Sequence, residues 1–333
     1  MSGMNHRERV TAALRGQEVD RVPVSFWGHD FVREWSAEGL AAAMLESVRT
    51  FDYDYLKVNP RATYFSEAWG CRYRPAEGGA GQPQVERWVL HEVSDLEAIE
   101  PVDFNTGAFG EQLEALRLIG QGLRGEVPFV QTVFSPLSVV GRMANGLEPV
   151  QRWMKEAPQA LHAALNAVTQ TLASYSAACL DAGADGIFFA TTYWCTYDTC
   201  TDEEYQAFGR AYDLPVLEAV QGAPCNLLHV CRPNNMLESL LDYPVAGINW
   251  DIHAQGNASL AQALDKTDKA VLGGIDERHV LLDGSPDDVR AQVGEALRQT
   301  GGRRFLLAPG CAIQPQTPPE NLRAAVQAVR DAS

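Results

Sequence analysis

Two apolar runs of this 333-residue chain end in sulfur. "LLHVCRPNN" carries His229 and Cys231, and "LLAPGCAIQ" carries Cys311. Residues two apart on a strand share a face, so the imidazole of His229 and the thiol of Cys231 project from the same side. If Cys311 reaches the same centre, one imidazole and two thiolates make a donor set suited to catalytic zinc, with three protein ligands and an open fourth position. Gly310, just before Cys311, gives the chain room to lean inward. A plainer reading makes the cysteines small buried hydrophobes and His229 a hydrogen-bonded core histidine. The spacing leaves both readings open, because His-x-Cys is a short pattern.

Other reactive side chains stand at the ends of apolar runs. "FWGHD" offers His29 beside Asp30, either an acid–base pair or a structural turn. Asn59 and Arg61 follow a second run, Tyr193, Trp194 and Cys195 a third, Trp250 and Asp251 a fourth, and Asp276 a fifth. The aromatic residues of "YWCTYDTC" suit a pocket wall, and Cys195 with Cys200 would otherwise be an extra ligand or a redox pair. Arg61 and Arg232 suit either an anionic substrate tail or surface salt bridges. "DIHAQG" fits a fragment that presents histidine to cobalt in cobalamin-binding domains, but no separate domain surrounds it. Asp251 and His253 are therefore expected at the mouth of a pocket. Cys71, Cys179 and Cys225 read as packing residues.

The elements that would carry these residues alternate along the chain. Eight short apolar runs (22–26, 54–59, 128–134, 186–192, 225–231, 247–251, 269–275 and 305–311) have the near-continuous hydrophobicity of strands buried on both faces. Helical stretches lie between them. "TDEE" and "SPDD" read as capping boxes, the second with Pro286 at the first helical position. Thr317 is the expected cap of the last helix, and Gly183 ends a long helix over 158–183. Eight strand and helix pairs predict a (β/α)₈ barrel, whose site lies at the C-terminal ends of its strands. An open doubly wound sheet is the second choice, but no glycine-rich phosphate loop follows the first strand. Residues 62–127 exceed a simple βα unit and read as an inserted hairpin and helix decorating one domain of 1–333.

Composition narrows the partners. A net charge of −16 argues against nucleic acid and anionic membranes. No run approaches the ~18 apolar residues of a membrane helix, and the first residues lack the pattern of a signal peptide. A cytoplasmic protein with reduced thiols is expected, and its seven cysteines then read as free thiols or ligands.

"DRVPVSF", "FDYDYLKVNPRATYFSEAWG", "GGIDERHVLLDGSPDDV" and "FLLAPGCAIQPQTPPENLRAAV" together resemble the uroporphyrinogen decarboxylase superfamily. The resemblance covers nearly the whole chain and implies a (β/α)₈ barrel, often dimeric. It also implies one of two chemistries. Decarboxylases of the family act on a porphyrinogen without a cofactor. Its methyltransferase branch moves a methyl group from a corrinoid protein to a thiol on zinc, using a His-x-Cys pair and a distant cysteine. The chain departs from the decarboxylase pattern where it matters. No arginine stands in "SFWGHD", and the family's late Gly-His-Gly is here Gly310-Cys311-Ala312. Asp54 matches the decarboxylases' central aspartate.

The resemblance therefore implies zinc on His229, Cys231 and Cys311, and a methyltransferase that delivers a methyl group to a zinc-bound thiol. The donor would be methylcobalamin on a separate corrinoid protein or a small methylated compound. His29, Asp54 and Asp251 are the expected catalytic side chains, and Asn59, Arg61, Tyr193, Trp194, Trp250, His253 and Asp276 the expected substrate contacts. A cysteine or aspartate such as Cys195, Asp251 or Asp276 would be the alternative to an open fourth zinc position. A polycarboxylate decarboxylase and a non-catalytic tetrapyrrole- or corrinoid-binding protein are the other functions weighed.

Overall fold

The computed structural model describes residues 3–79 and 81–332. Seven parallel strands form one curled sheet: β1 (Leu56–Val58), β4 (Phe129–Phe134), β5 (Gly186–Ala190), β6 (Leu227–Val230), β7 (Gly247–Trp250), β8 (Ala270–Ile275) and β9 (Phe305–Pro309), hydrogen-bonded in that order. Two short antiparallel strands, β2 (Arg72–Arg74) and β3 (Gln84–Arg87), pair separately. Every residue of β4 and β8 is buried, which explains why their sequences are apolar throughout: helices cover one face and the barrel interior the other.

Residues 22–28 take the eighth position. Val24 bridges Leu307 in parallel, and the amide of Asp54 donates to the carbonyl of Val24. This segment thus lies between β1 and β9 and rounds the sheet into a barrel. Each strand expected from the sequence falls on a barrel strand or on this closing segment.

The helices largely follow their local signals. Thr201 and Ser285 each form the expected capping box, with Glu204 and Asp288. A helix runs from Pro158 to Asp181, and Gly183 follows with a positive φ of 106°. The last helix differs: its cap is Pro318, and the hydroxyl of Thr317 is buried without a partner instead of capping. Between β1 and β4, the β2–β3 hairpin turns through Gly78 and Gly79, and helices Val93–Glu97 and Gly107–Leu123 follow. Among the described residues no helix is long and apolar enough to cross a membrane.

All barrel strands point the same way, so residues before β1 and residues after β6 and β9 lie at opposite ends. Asp54 is at the first of these ends. It is fully buried and accepts from Arg9 at 2.7 Å, from Arg21 at 2.5 and 2.9 Å and from the Val24 amide at 2.9 Å, with the ring of His6 at 3.0 Å. The structure therefore corrects its expected catalytic role. Its lone pairs are taken by groups that tie the first helix to the barrel floor.

Candidate metal centre

His229 ends up inside the barrel because β6 alternates its side chains, and Cys231 follows one residue beyond the strand. Cys311 arrives from the turn after β9. The ligand atoms of the three residues lie within 4.8 Å of one another. Gly310 makes this possible through close approach, since a Cβ there would sit 2.6 Å from the Cα of Asp251. A side chain at 310 would push the Cys311 turn off the neighbouring strand end.

Asn249 decides which histidine nitrogen faces the cysteines. It pairs in register with His229 across β6 and β7. Its amide nitrogen donates to the carbonyls of Leu272 (3.1 Å) and Pro309 (3.0 Å). Its oxygen is therefore the atom left for His229 Nδ1, 2.7 Å away. An amide oxygen only accepts, so Nδ1 carries the proton and Nε2 presents a lone pair. This is the tautomer a metal ligand needs, held by an outer hydrogen bond. Phe188 stacks on the same ring at 5.4 Å. Asn249 was not legible as a site residue, because an asparagine inside "GINWD" shows its role only once the strand register is known.

The two thiols act on each other. The hydrogen bond from Cys231 draws Cys311 well below the ordinary thiol range against the effect of burial, and His229 adds to the pull. Cys231 is pushed well above that range by Cys311 and by burial. A divalent cation removes the conflict, because coordination lets both sulfurs ionise. The donor types, their convergence and the fixed tautomer all fit zinc.

The triad opens into a cavity of about 540 Å³. Lys57, Arg142, Arg232 and Arg278 are part of its wall, and among the described residues no aspartate or glutamate is. This is a cationic hollow in an acidic chain. Lys57 is buried and its Nζ donates to Asn59 Oδ1, with the rings of Phe188 and Trp27 at 5.0 and 5.9 Å. Burial lowers its amine to about 7. At the rim the guanidinium of Arg232 lies 3.6 Å over the ring of Tyr193. Glu277, buried behind Cys311, accepts from the Gly310 amide at 3.1 Å, and burial raises its carboxyl to about 7.

Among the expected site residues, His29, Asn59, Tyr193, His229, Cys231 and Cys311 line the cavity. His29 pairs at 2.7 Å with the buried Glu34, whereas Asp30 binds Arg33. The others lie elsewhere. Arg61 is saturated by Glu67 and Glu111. Trp194 is buried against Gly141, and Trp250 faces outward from β7, donating to Ala258 at 2.8 Å. Asp251 backs onto Gly310 and accepts from the amide of His253, itself an exposed residue. Asp276 accepts from the amides of Arg278 and His279 and so shapes its own turn. Lys57 and Arg142 were missed, because cations inside apolar or helical runs look like ordinary surface residues until the cavity is seen.

A profile of the uroporphyrinogen decarboxylase (URO-D) family matches residues 5–332. The chain belongs to the URO-D family. It is similar to the methylcobamide:CoM methyltransferase MtbA of Methanosarcina acetivorans, 25% identical over 349 residues and 99% of each chain. It also resembles the uroporphyrinogen decarboxylase of Mus musculus, 24% identical over 312 residues, 88% of this chain and 81% of the relative. Among solved structures, a methyltransferase from Methanosarcina mazei superposes with a TM-score of 0.86 over 99% of each chain, at 24% identity. That likeness establishes the barrel as the shared fold.

Proposed function

We propose that this URO-D family member is a zinc-dependent methyltransferase whose acceptor is a thiol. The observation that carries the reading is the convergence of His229, Cys231 and Cys311 at the barrel mouth, with Asn249 setting the imidazole tautomer. Zinc bound there would hold the acceptor sulfur as thiolate at neutral pH, the nucleophile that methyl transfer needs. The protein's own part is positional. Asn249 and Phe188 hold His229, Gly310 admits Cys311, and the aromatic wall of Trp27, Phe188 and Phe134 limits water around the sulfur. The names of the methyltransferase relatives favour methylcobalamin on a separate corrinoid protein as donor. The reading includes a cytoplasmic homodimer, which family likeness alone suggests.

The cation-lined wall supports a second reading, a decarboxylase of a polycarboxylate, since guanidinium and ammonium groups hold carboxylates. The sulfur pair speaks for the first, because decarboxylation without a cofactor has no use for two convergent thiols. Metal content decides between them. About one zinc per chain, largely lost in Cys311→Ser, together with thiol-dependent demethylation of methylcobalamin, is the expected result. Metal-free protein from a chelator-free purification would overturn the reading.

A further inference from the structure

The turn that carries Cys231 away from β6 is bent against its own sequence. Arg232 has a φ of 82° and Asn234 a φ of 46°. An arginine at positive φ is uncommon, and the proline at 233 presses the residue before it toward extended, negative φ. Asp52 and Arg124 are also left-handed, but each ends a helix, where that conformation is ordinary. Arg232 ends no helix. Strain of this kind persists only where neighbouring groups over-determine the backbone.

Here the neighbours are loops on both sides. From the loop after β7, Asn257 Nδ2 donates to the carbonyl of Arg232 at 3.0 Å and to that of Asp251 at 2.7 Å. Its oxygen accepts from the Asn235 amide at 3.0 Å. Two carbonyls and one N–H leave the Asn257 amide a single orientation. The Asn234 amide donates to Gln255, and Gly256 lets the two segments close, since a Cβ there would fall 2.0 Å from Asn234 Oδ1. From the loop after β5, Thr196 donates to the carbonyl of Pro233 at 2.7 Å, and the ring of Tyr193 lies 3.6 Å from the Arg232 guanidinium. Thr192, just before that tyrosine, is left-handed too (φ 48°), an outlier for a β-branched residue, and its hydroxyl donates to Ser138 at 2.7 Å.

The three ligands differ in what places them. His229 is fixed by its strand and by Asn249, and Cys311 by the close approach at Gly310. Cys231 stands beyond the end of β6 and takes its position from the turn that follows. We propose that Asn257 is a positioning residue for the metal centre. By holding Arg232 left-handed, it keeps the Cys231 sulfur beside His229 and Cys311 before any metal arrives. Thr196 secures the same turn from the β5 side. The metal part of this rests on the zinc reading above; the clamp on the turn does not.

Cobalt(II) titration of the metal-free full chain tests this, read by the sulfur-to-cobalt charge-transfer band. Asn257→Ala should weaken binding about tenfold or more, the range of outer partners of metal ligands. Glycine adopts positive φ without strain, so adding Arg232→Gly should recover much of the loss. Adding Arg232→Ala, which removes the same guanidinium, should not. Wild-type affinity in Asn257→Ala, or equal behaviour of the two double variants, would overturn the clamp and leave the metal reading standing. A wild type that binds no cobalt overturns the metal reading, and the turn is then read by alkylation of Cys231 with iodoacetamide, followed by peptide mass spectrometry. Cys231 should react faster in metal-free Asn257→Ala than in the wild type, and more slowly again once Arg232→Gly is added; unchanged rates would overturn the clamp as well. Thr196→Val loosens the same turn from the other side and takes the place of Asn257→Ala if that variant does not fold.

Discussion

Asn249 is tied to the backbone of two neighbouring strands, at Leu272 and Pro309, before it meets His229. Its orientation is thus set by the barrel, and the histidine inherits that order. Outer partners of this kind are worth roughly 10- to 100-fold in metal affinity. Asn249→Ala should lower zinc affinity by about that factor, read by competition with a chromophoric chelator, while far-ultraviolet dichroism stays unchanged. A loss below threefold would assign the imidazole's orientation to the Phe188 stack instead. The convergence of His229, Cys231 and Cys311 was legible because sulfur and imidazole at strand ends are few and chemically pointed. Asn249 and Lys57 were not, because their types are ordinary and only the pairing of β6 with β7, and of β1 with its neighbours, turns them inward. Arg61 misled for the same reason in reverse: its type suggested an anion, but Glu67 and Glu111, close in space, already occupy it.

At the scale of elements, the helix Ala211–Glu218 carries a charge that the core does not welcome. A π-turn over Gln206–Arg210 separates it from Asp202–Tyr205, and the extra residue of such a turn brings Tyr205 against Asp213. The hydroxyls of Tyr205 and Tyr243 each donate to Asp213 Oδ2 at 2.8 Å, and Oδ1 has no partner. Burial raises this carboxyl to about 7, against the pull of the two phenols and Arg210. The unfolded value is near 3.9. Between roughly pH 4 and 7 the unfolded chain therefore releases a proton that the folded chain keeps, and stability falls as pH rises through that window. At full effect the loss is on the order of 4 kcal/mol. Asp213→Asn cannot ionise, so its melting temperature relative to the wild type should climb from pH 5 to pH 8. A difference that stays flat would show that Asp213 does not titrate there. Nothing in the sequence announced this, since an aspartate among apolar residues looks like any solvated helix residue until its burial is seen. By contrast the capping boxes at Thr201 and Ser285 were readable from four residues each, because a cap is a local hydrogen-bond exchange. Thr317 failed as a cap because Pro318 takes the position and the chain buries the hydroxyl.

For the whole molecule, the weak line is the seam that closes the barrel. On the β9 side residues 22–28 are held by Ser25 to Leu307, Leu307 to Pro23 and Ile313 to Trp27. Among the described residues, only the Asp54 amide reaches Val24 through the backbone on the β1 side. The Asp54 carboxylate supplies the other half by accepting from the Val24 amide, standing where a strand carbonyl would be. Burial works to raise this carboxyl, but the hydrogen bonds of His6 and Arg21 outweigh it and bring it down to about 2. A value below the unfolded one means stability that is present above about pH 4 and lost as pH falls toward 2. Asp54→Ala would also leave Arg21 without its carboxylate partner, while Arg9 keeps Asp20, a loss of about 3–5 kcal/mol. If the seam depends on this side chain, amide exchange in the variant should quicken most over residues 22–28, while β5 and β6 keep their protection. Zinc content should fall little, because Asp54 lies at the end of the barrel opposite the triad, and the turn that carries Cys311 keeps its own tie to the closing segment, from the Ile313 amide to Trp27. An equal rise in exchange everywhere would show that Asp54 stabilises the fold as a whole and that residues 22–28 open only with it.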